Sequence, residues 1–366
     1  MGFVYSLIWQ SPRQRLLQSL RGRTFTIPDL PSAFAHWPQG VHPEMPRLAG
    51  EVDRTIIRFY HEPRIFRKMK EADAASFGAM WWPYASFDRL CIATYLSMWL
   101  FAWDDETDST EISHLVHQTD KAARFREQTR EFIHACLSCD KEGPSELPVD
   151  GLNNPFIASF QVVGEAITRS CNEDQVNRFR LELDKYIDMA GLEQNIQMTN
   201  HLPTVDEYWN RRKGSSAVGV CLAITEYCYA MEIPPNIMGG ADMRRLWDLI
   251  NIIVSSTNDI LSLKKEIAQG QTDSLVPILY LQYGSLQTAV DEAADMIFSS
   301  AKEFDQLAEK LLSSQPEDDA QDNLRKFIDG CRYCCSANLN WSLRSKRFKL
   351  NAQSLQSGFE VTLSTN

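Results

Sequence analysis

Apolar residues recur at intervals of three and four along most of this chain, the spacing that gathers them on one side of an α-helix. The runs IRFYHEPRIFRKM, from Ile57, and FDQLAEKLL, from Phe304, show it well. From Glu51 onward the pattern predicts helices over about 51–60, 64–78, 84–106, 110–120, 122–139, 153–171, 173–200, 204–226, 242–267, 273–282, 285–311 and 318–350. Start signals support several of them. Asn172 precedes an acidic first turn, Thr204 has Glu207 three residues on, and Ser314 or Gln315 precedes Pro316. Strand signals are poor, because no two alternating runs are joined by Asn-Gly or Asp-Gly. Residues 141–155, KEGPSELPVDGLNNP, read as a surface loop. The first 50 residues are irregular, with five prolines from Pro28 to Pro46, and read as an extended arm packing on the rest. No repeat or linker divides the remainder. The expectation is all-α: one large helical domain at 51–350, flanked by the arm at 1–50 and a tail at 351–366.

Composition narrows the function. At 366 residues the chain can enclose a substantial core. Hydrophobic residues at 44% and charged residues at 23% are ordinary for a soluble globular protein. No apolar stretch is long enough to span a bilayer. The N-terminus, MGFVYSLIWQSPRQRL, lacks a basic segment and a cleavage signature, so the expected location is cytoplasmic. Gly2 and Ser6 loosely fit a myristoylation pattern, a single coincidence of little weight. A formal net charge of -11 argues against nucleic acid as a partner, since phosphate contacts want a basic surface. Glycine motifs for dinucleotides or nucleoside triphosphates are absent. Cys136 with Cys139, and Cys331 with Cys334 and Cys335, offer thiols at zinc-like spacing. Both clusters lie in helical pattern, where small buried thiols are common, and that reading is preferred.

Two sets of oxygen donors change the picture. The run LSMWLFAWDDETDS ends a long aromatic-rich helix in Asp104, Asp105, Glu106 and Asp108. Asp104 and Asp108, at i and i+4, share a face, and like charges so placed weaken a helix unless something positive sits between them. Magnesium is bound by one or two carboxylates together with substrate phosphate. The second set, Asn258, Ser262 and Glu266, forms one polar stripe at steps of four after the apolar run LWDLINIIVSS. Lys265 adjoins it and can reach a phosphate, whereas Asp259 lies off the stripe. Two oxygen sets, each ending an apolar helix, suggest an apolar cavity with metal ions at its mouth. Its ligand is then anionic at one end and oily at the other.

These residues resemble the class I terpene synthases, most closely fungal sesquiterpene synthases. The family's DDxxD motif is matched by Asp104-Asp105-Glu106-Thr107-Asp108, and its asparagine–serine–glutamate motif by Asn258, Ser262 and Glu266 with Lys265. The family's diphosphate-sensing arginine, 46 residues before that asparagine, falls on Arg212. The C-terminal arginine–tyrosine pair reads Arg347-Phe348, so the tyrosine hydroxyl is missing. Ser215, Ser216 and Ala217 hold the helix break where the family usually shows a glycine. The resemblance implies a single antiparallel α-helical bundle, three Mg2+ ions, farnesyl diphosphate as substrate, and a monomer or homodimer. It also implies ionisation of the diphosphate, helped by Arg212, Lys265 and Arg347, then cyclisation in a dry pocket. Phe77, Trp81, Trp99, Phe101 and Trp341 are candidate cavity aromatics. Replacing Arg212 is expected to spare the ligand-free fold, with Arg211 and Lys213 facing solvent or neighbouring acids. A chain-elongating prenyl transferase would normally carry a second aspartate-rich motif in place of Asn258–Ser262–Glu266. A non-catalytic lipid-binding protein would need neither oxygen set.

Overall fold

The computed structural model describes residues 10–60, 62–108, 113, 115–138, 147–316, 319–348, 350 and 358–365. Gly2, Ser6, Cys139 and residues 110–112 and 114 of the helix expected at 110–120 lie outside them; Leu115–His117 is a 3-10 turn.

Residues 10–50 carry more order than their prolines suggest. Helix α1 (Pro12–Leu20) opens on a capping box. The Gln14 amide donates to the Ser11 hydroxyl at 3.2 Å, and the Ser11 amide donates back to the Gln14 side chain at 3.0 Å. Strand β1 (Thr24–Ile27) follows, and then α2 (Met45–Phe59), which starts ahead of the expected residue 51. Pro46 occupies its first turn, where a missing N–H breaks no helical bond. Leu16, Leu20, Phe25, Ile27, Phe34 and Trp37 are all buried, so this segment belongs to the core.

The bundle continues through α3 (Pro63–Ala72), α4 (Ala74–Trp81), α5 (Phe87–Asp108), α6 (Thr119–Cys136), α7 (Gln161–Ser170), α8 (Glu173–Gln197), α9 (Val205–Ser215) and α10 (Val218–Ala223). It closes with α11 (Ala241–Ala268), α12 (Leu275–Tyr283), α13 (Leu286–Ser313) and α14 (Asp319–Arg344), followed by a 3-10 turn at Lys346–Phe348. Capping boxes start α8 at Asn172, with Gln175, and α9 at Thr204, with Glu207. Ser314 instead ends α13 as its C-cap. Helix α11 is central: it packs on α13, α14, α10 and α12, while α5 packs on α4 and α2.

Two differences from the expected elements matter. The stretch predicted as one helix over 204–226 breaks after α9, where Ala217 takes a left-handed φ of 58°. A non-glycine residue there is costly, which points to a break held by its surroundings. The tail also forms a strand, β2 (Phe359–Thr362), antiparallel to β1 with Thr24 opposite Thr362. The ribbon lies against α13 and is the one sheet among the described residues. The class remains all-α.

Candidate active site

Helices α5, α11 and α14 each run from apolar to polar toward the same cavity. On α5, Leu100 and Phe101 precede Asp104; on α11, Val254 precedes Asn258, Ser262 and Glu266; on α14, Trp341 precedes Arg347 in the following turn. All of these line one cavity of about 410 Å³, with Phe77 and Trp81 from α4 and Tyr208 and Arg212 from α9. Pockets of roughly 300–1,000 Å³ suit small-molecule ligands. Asp104 and Glu266 stand near helix C-termini, where the helix dipole is negative and an added carboxylate is unfavourable. A cation bound beside either carboxylate would offset that penalty.

The second oxygen set is already organised. Ser262 donates to one Glu266 oxygen and Ser274 to the other, each at 2.6 Å. Burial first, and the nearby Asp259 charge second, push the Glu266 carboxyl up to about 7. Asn258 Oδ1 accepts from Arg212 Nη2 at 3.1 Å. Across the cavity, the Tyr186 hydroxyl bonds Asp104. Asp108 is the last residue of α5, and its side chain lies outside the described part. Among the described residues no three His, Cys, Asp or Glu side chains converge on one point. The donors present are carboxylate, amide and hydroxyl oxygens, a set that fits a hard divalent cation better than a soft one. The thiols of Cys331, Cys334 and Cys335 are buried in α14, and burial raises each of them.

The cations are more engaged than expected. Arg212 is bonded at 3.0 Å to Asp259, which also accepts from the Tyr208 hydroxyl and the Leu275 amide, each at 2.7 Å. Asp259 is only 1% exposed, so the acid set off the stripe anchors the arginine expected to wait for ligand. Contrary to the expectation that its removal spares the ligand-free fold, Arg212 is tied into that fold before any ligand binds. Arg211 does not face solvent either. It is 1% exposed, donates to the Asp273 carbonyl at 2.8 Å and lies 4.0 Å from Glu193. Lys213 pairs with Asp248. Asp105 takes Lys68 at 2.9 Å and Arg347 at 3.5 Å. Burial alone would raise its carboxyl, but Arg347, Lys68 and Lys265 outweigh that and hold it below the usual value. Burial and Arg347 lower Lys265 to about 8, against the pull of Asp105.

Four of the five candidate aromatics form a box. Phe101 stacks on Trp341 with centroids 5.5 Å apart, and Phe77 stacks on Trp81 at 4.6 Å. Phe77 meets Phe101 and Trp341 edge-on. Trp99 is elsewhere: two residues from Phe101 is about 200° around a helix, and its ring packs on Trp103 and Phe160. Phe348 is buried against Trp341 and lines the cavity. Sequence reasoning missed Lys68, Ser274 and Arg13. Arg13, from α1, pairs with Asp273 and donates to the carbonyls of Ile196, Thr199 and His201, tying the N-terminal segment to both loops beside the cavity. Its only sequence signal was its place in the segment expected to pack on the domain.

Comparison with known proteins places this arrangement. Residues 95–303 match the family described as terpene synthase family 2, C-terminal metal binding, a span that holds both oxygen sets but not Arg347. The sesquiterpene cyclase hepA of Aspergillus oryzae is 36% identical over 93% of this chain and 93% of its own length. The terpene cyclase braA of Annulohypoxylon truncatum is 25% identical over 92% of this chain and 89% of its own. The crystal structure of a-eudesmol synthase superposes with a TM-score of 0.72 at 21% identity, covering 84% of this chain and 97% of that one, and shows the same fold. With over half its residues inside a metal-binding synthase family and a relative above one-third identical along nearly all of it, the chain belongs to the class I terpene synthases.

Proposed function

We propose that this chain is a sesquiterpene synthase that ionises farnesyl diphosphate and cyclises the resulting cation to a hydrocarbon or alcohol. One observation carries the reading: Asp104, the Asn258–Ser262–Glu266 stripe and the cations Lys68, Arg212, Lys265 and Arg347 all line one cavity together with Phe77, Phe101 and Trp341. The relatives named for sesquiterpene chemistry support the fifteen-carbon chain length. Mg2+, three ions in this reading, would be held by Asp104, Asp108, Asn258, Ser262 and Glu266, and supplies Lewis-acid neutralisation of the departing diphosphate. Arg212, Lys265 and Arg347 bind the same group, arginine through its two-pronged donor face. As the carbon–oxygen bond breaks, its electron pair leaves with the diphosphate and an allylic cation remains. Phe77, Phe101 and Trp341 offer ring faces to that cation and contribute no nucleophile. Water in the cavity would quench it to an alcohol, so the apolar lining also serves by exclusion.

The test is incubation with ten-, fifteen- and twenty-carbon prenyl diphosphates, with and without Mg2+, following diphosphate release and volatile products. Cyclic fifteen-carbon products that vanish in excess chelator are expected. Sustained turnover with metal verified absent, or products only from another chain length, would overturn the reading.

A further inference from the structure

Helix α3 carries four basic residues, Arg64, Arg67, Lys68 and Lys70. Three are exposed, and Lys70 pairs with Asp53 on α2. Lys68 alone turns inward: its side chain is 17% exposed, lines the cavity and sits 2.9 Å from Asp105. Asp105 faces Arg347 on its other oxygen, and Lys265 is close enough to act on it. Three cations thus surround one buried carboxylate, with Glu266 as a further acid beside Lys265. An ammonium carries three donors, so a lysine that meets one Asp105 oxygen can also meet an acceptor on a ligand in the cavity. Helix α3 also packs on the Lys346–Phe348 turn, where Phe348 has no donor to offer.

We propose that Lys68 is a binding residue for the substrate's diphosphate, acting with Lys265 and Arg347 and supplying a donor where Phe348 supplies none. This rests on the diphosphate reading of the site but names a residue on a helix that neither oxygen set occupies. Lysine suits the task, since its compact charge on a flexible stem can turn from Asp105 to a phosphate oxygen with little rearrangement. The competing role is an ion pair that merely holds Asp105.

The two roles separate in a double-mutant cycle read by calorimetry, with inorganic diphosphate titrated into the full chain at saturating Mg2+. The variants are Lys68→Met, Asp105→Asn and both together, with Lys68→Gln in reserve should the methionine variant fold poorly. If Lys68 touches diphosphate, Lys68→Met weakens binding at least about tenfold. It does so again on the Asp105→Asn background, where no carboxylate is left to hold. Lys68→Arg, which keeps the charge, stays within about threefold of the wild type. If Lys68 serves only Asp105, the double variant binds diphosphate as Asp105→Asn does, and the proposal is overturned. Wild type that binds diphosphate beside an unaffected Lys68→Met would overturn this inference alone. Wild type that binds none would overturn the diphosphate reading with it.

Discussion

Arg211 and Arg212 are sequence neighbours with opposite expected phenotypes, and their alanine variants give a sharp test of the site. Arg212→Ala removes the 3.1 Å bond to Asn258 and the 3.0 Å bond to Asp259. Stripping a partner from a buried ion pair costs roughly 3–5 kcal/mol when the remaining charge is uncompensated. Asp259 keeps Tyr208 and the Leu275 amide, and Arg212 is 19% exposed, so the loss should be smaller. One charge-assisted hydrogen bond, about 1.5–3 kcal/mol discounted for that exposure, sets the scale. It should appear as a melting temperature lowered by a few degrees. Turnover at saturating Mg2+ should fall by at least about tenfold through the lost diphosphate contact. Arg211→Ala empties a buried site and frees the Asp273 carbonyl and Glu193, so stability should drop while the folded enzyme keeps its rate. Thermal denaturation by circular dichroism, paired with a diphosphate-release assay normalised to folded protein, reads both quantities. A silent Arg212→Ala beside a catalytically dead Arg211→Ala would refute the assignment of the sensing residue.

Other outcomes follow from the same geometry. Arg13→Ala unties α1 from Asp273 and the 196–201 backbone; turnover should fall a few-fold and the alcohol fraction rise by gas chromatography. An unchanged product profile would remove any closing role for this segment. Phe101→Leu should redistribute products, whereas Trp99→Leu should lower the melting temperature and leave the profile alone; the reverse pattern would mean the cavity is lined differently. Ala217→Gly relieves the left-handed φ of 58° and should raise stability by up to about 1 kcal/mol, measured by denaturant melts. A lower midpoint would show that the alanine methyl packs better than its backbone suffers.

Much of this architecture was legible because helices write a period into the sequence. Thr204 and Glu207 marked the start of α9, and the spacing of Asn258, Ser262 and Glu266 put them on one stripe before any coordinates. The pattern fails where a helix is apolar on every side. Helix α5 is such a case: hydrophobicity does not separate Trp99 from Phe101, although their spacing from Asp104 puts only Phe101 near its face. The break after α9 carries neither glycine nor proline at its left-handed residue, so periodicity ran straight through it and only the family resemblance placed it at Ser215–Ala217. Lys68 looks like its exposed basic neighbours until the rest of the fold brings Asp105 to it. Asp259 was set aside because it lies off the stripe, and that is where Arg212, Tyr208 and the Leu275 amide meet it. Strands of four residues with distant partners carry too little pattern to read.

That ribbon has a consequence for how the protein comes into being. Thr24 and Thr362 bond through their hydroxyls across a separation of 338 residues. Closing so long a loop costs about 4 kcal/mol more in chain entropy than a four-residue hairpin turn, more than strands this short repay alone. The pairing can form only after the bundle has brought both segments together, and only once residue 362 has left the ribosome. Until then β1 waits as an unpaired edge on a growing chain. A nascent protein halted at residue 350 would carry both oxygen sets and the aromatic box, yet leave Phe25 and Ile27 without their partner strand. Ribosome-bound chains of increasing length, probed by limited proteolysis near residue 24, should become resistant only when the final strand has emerged.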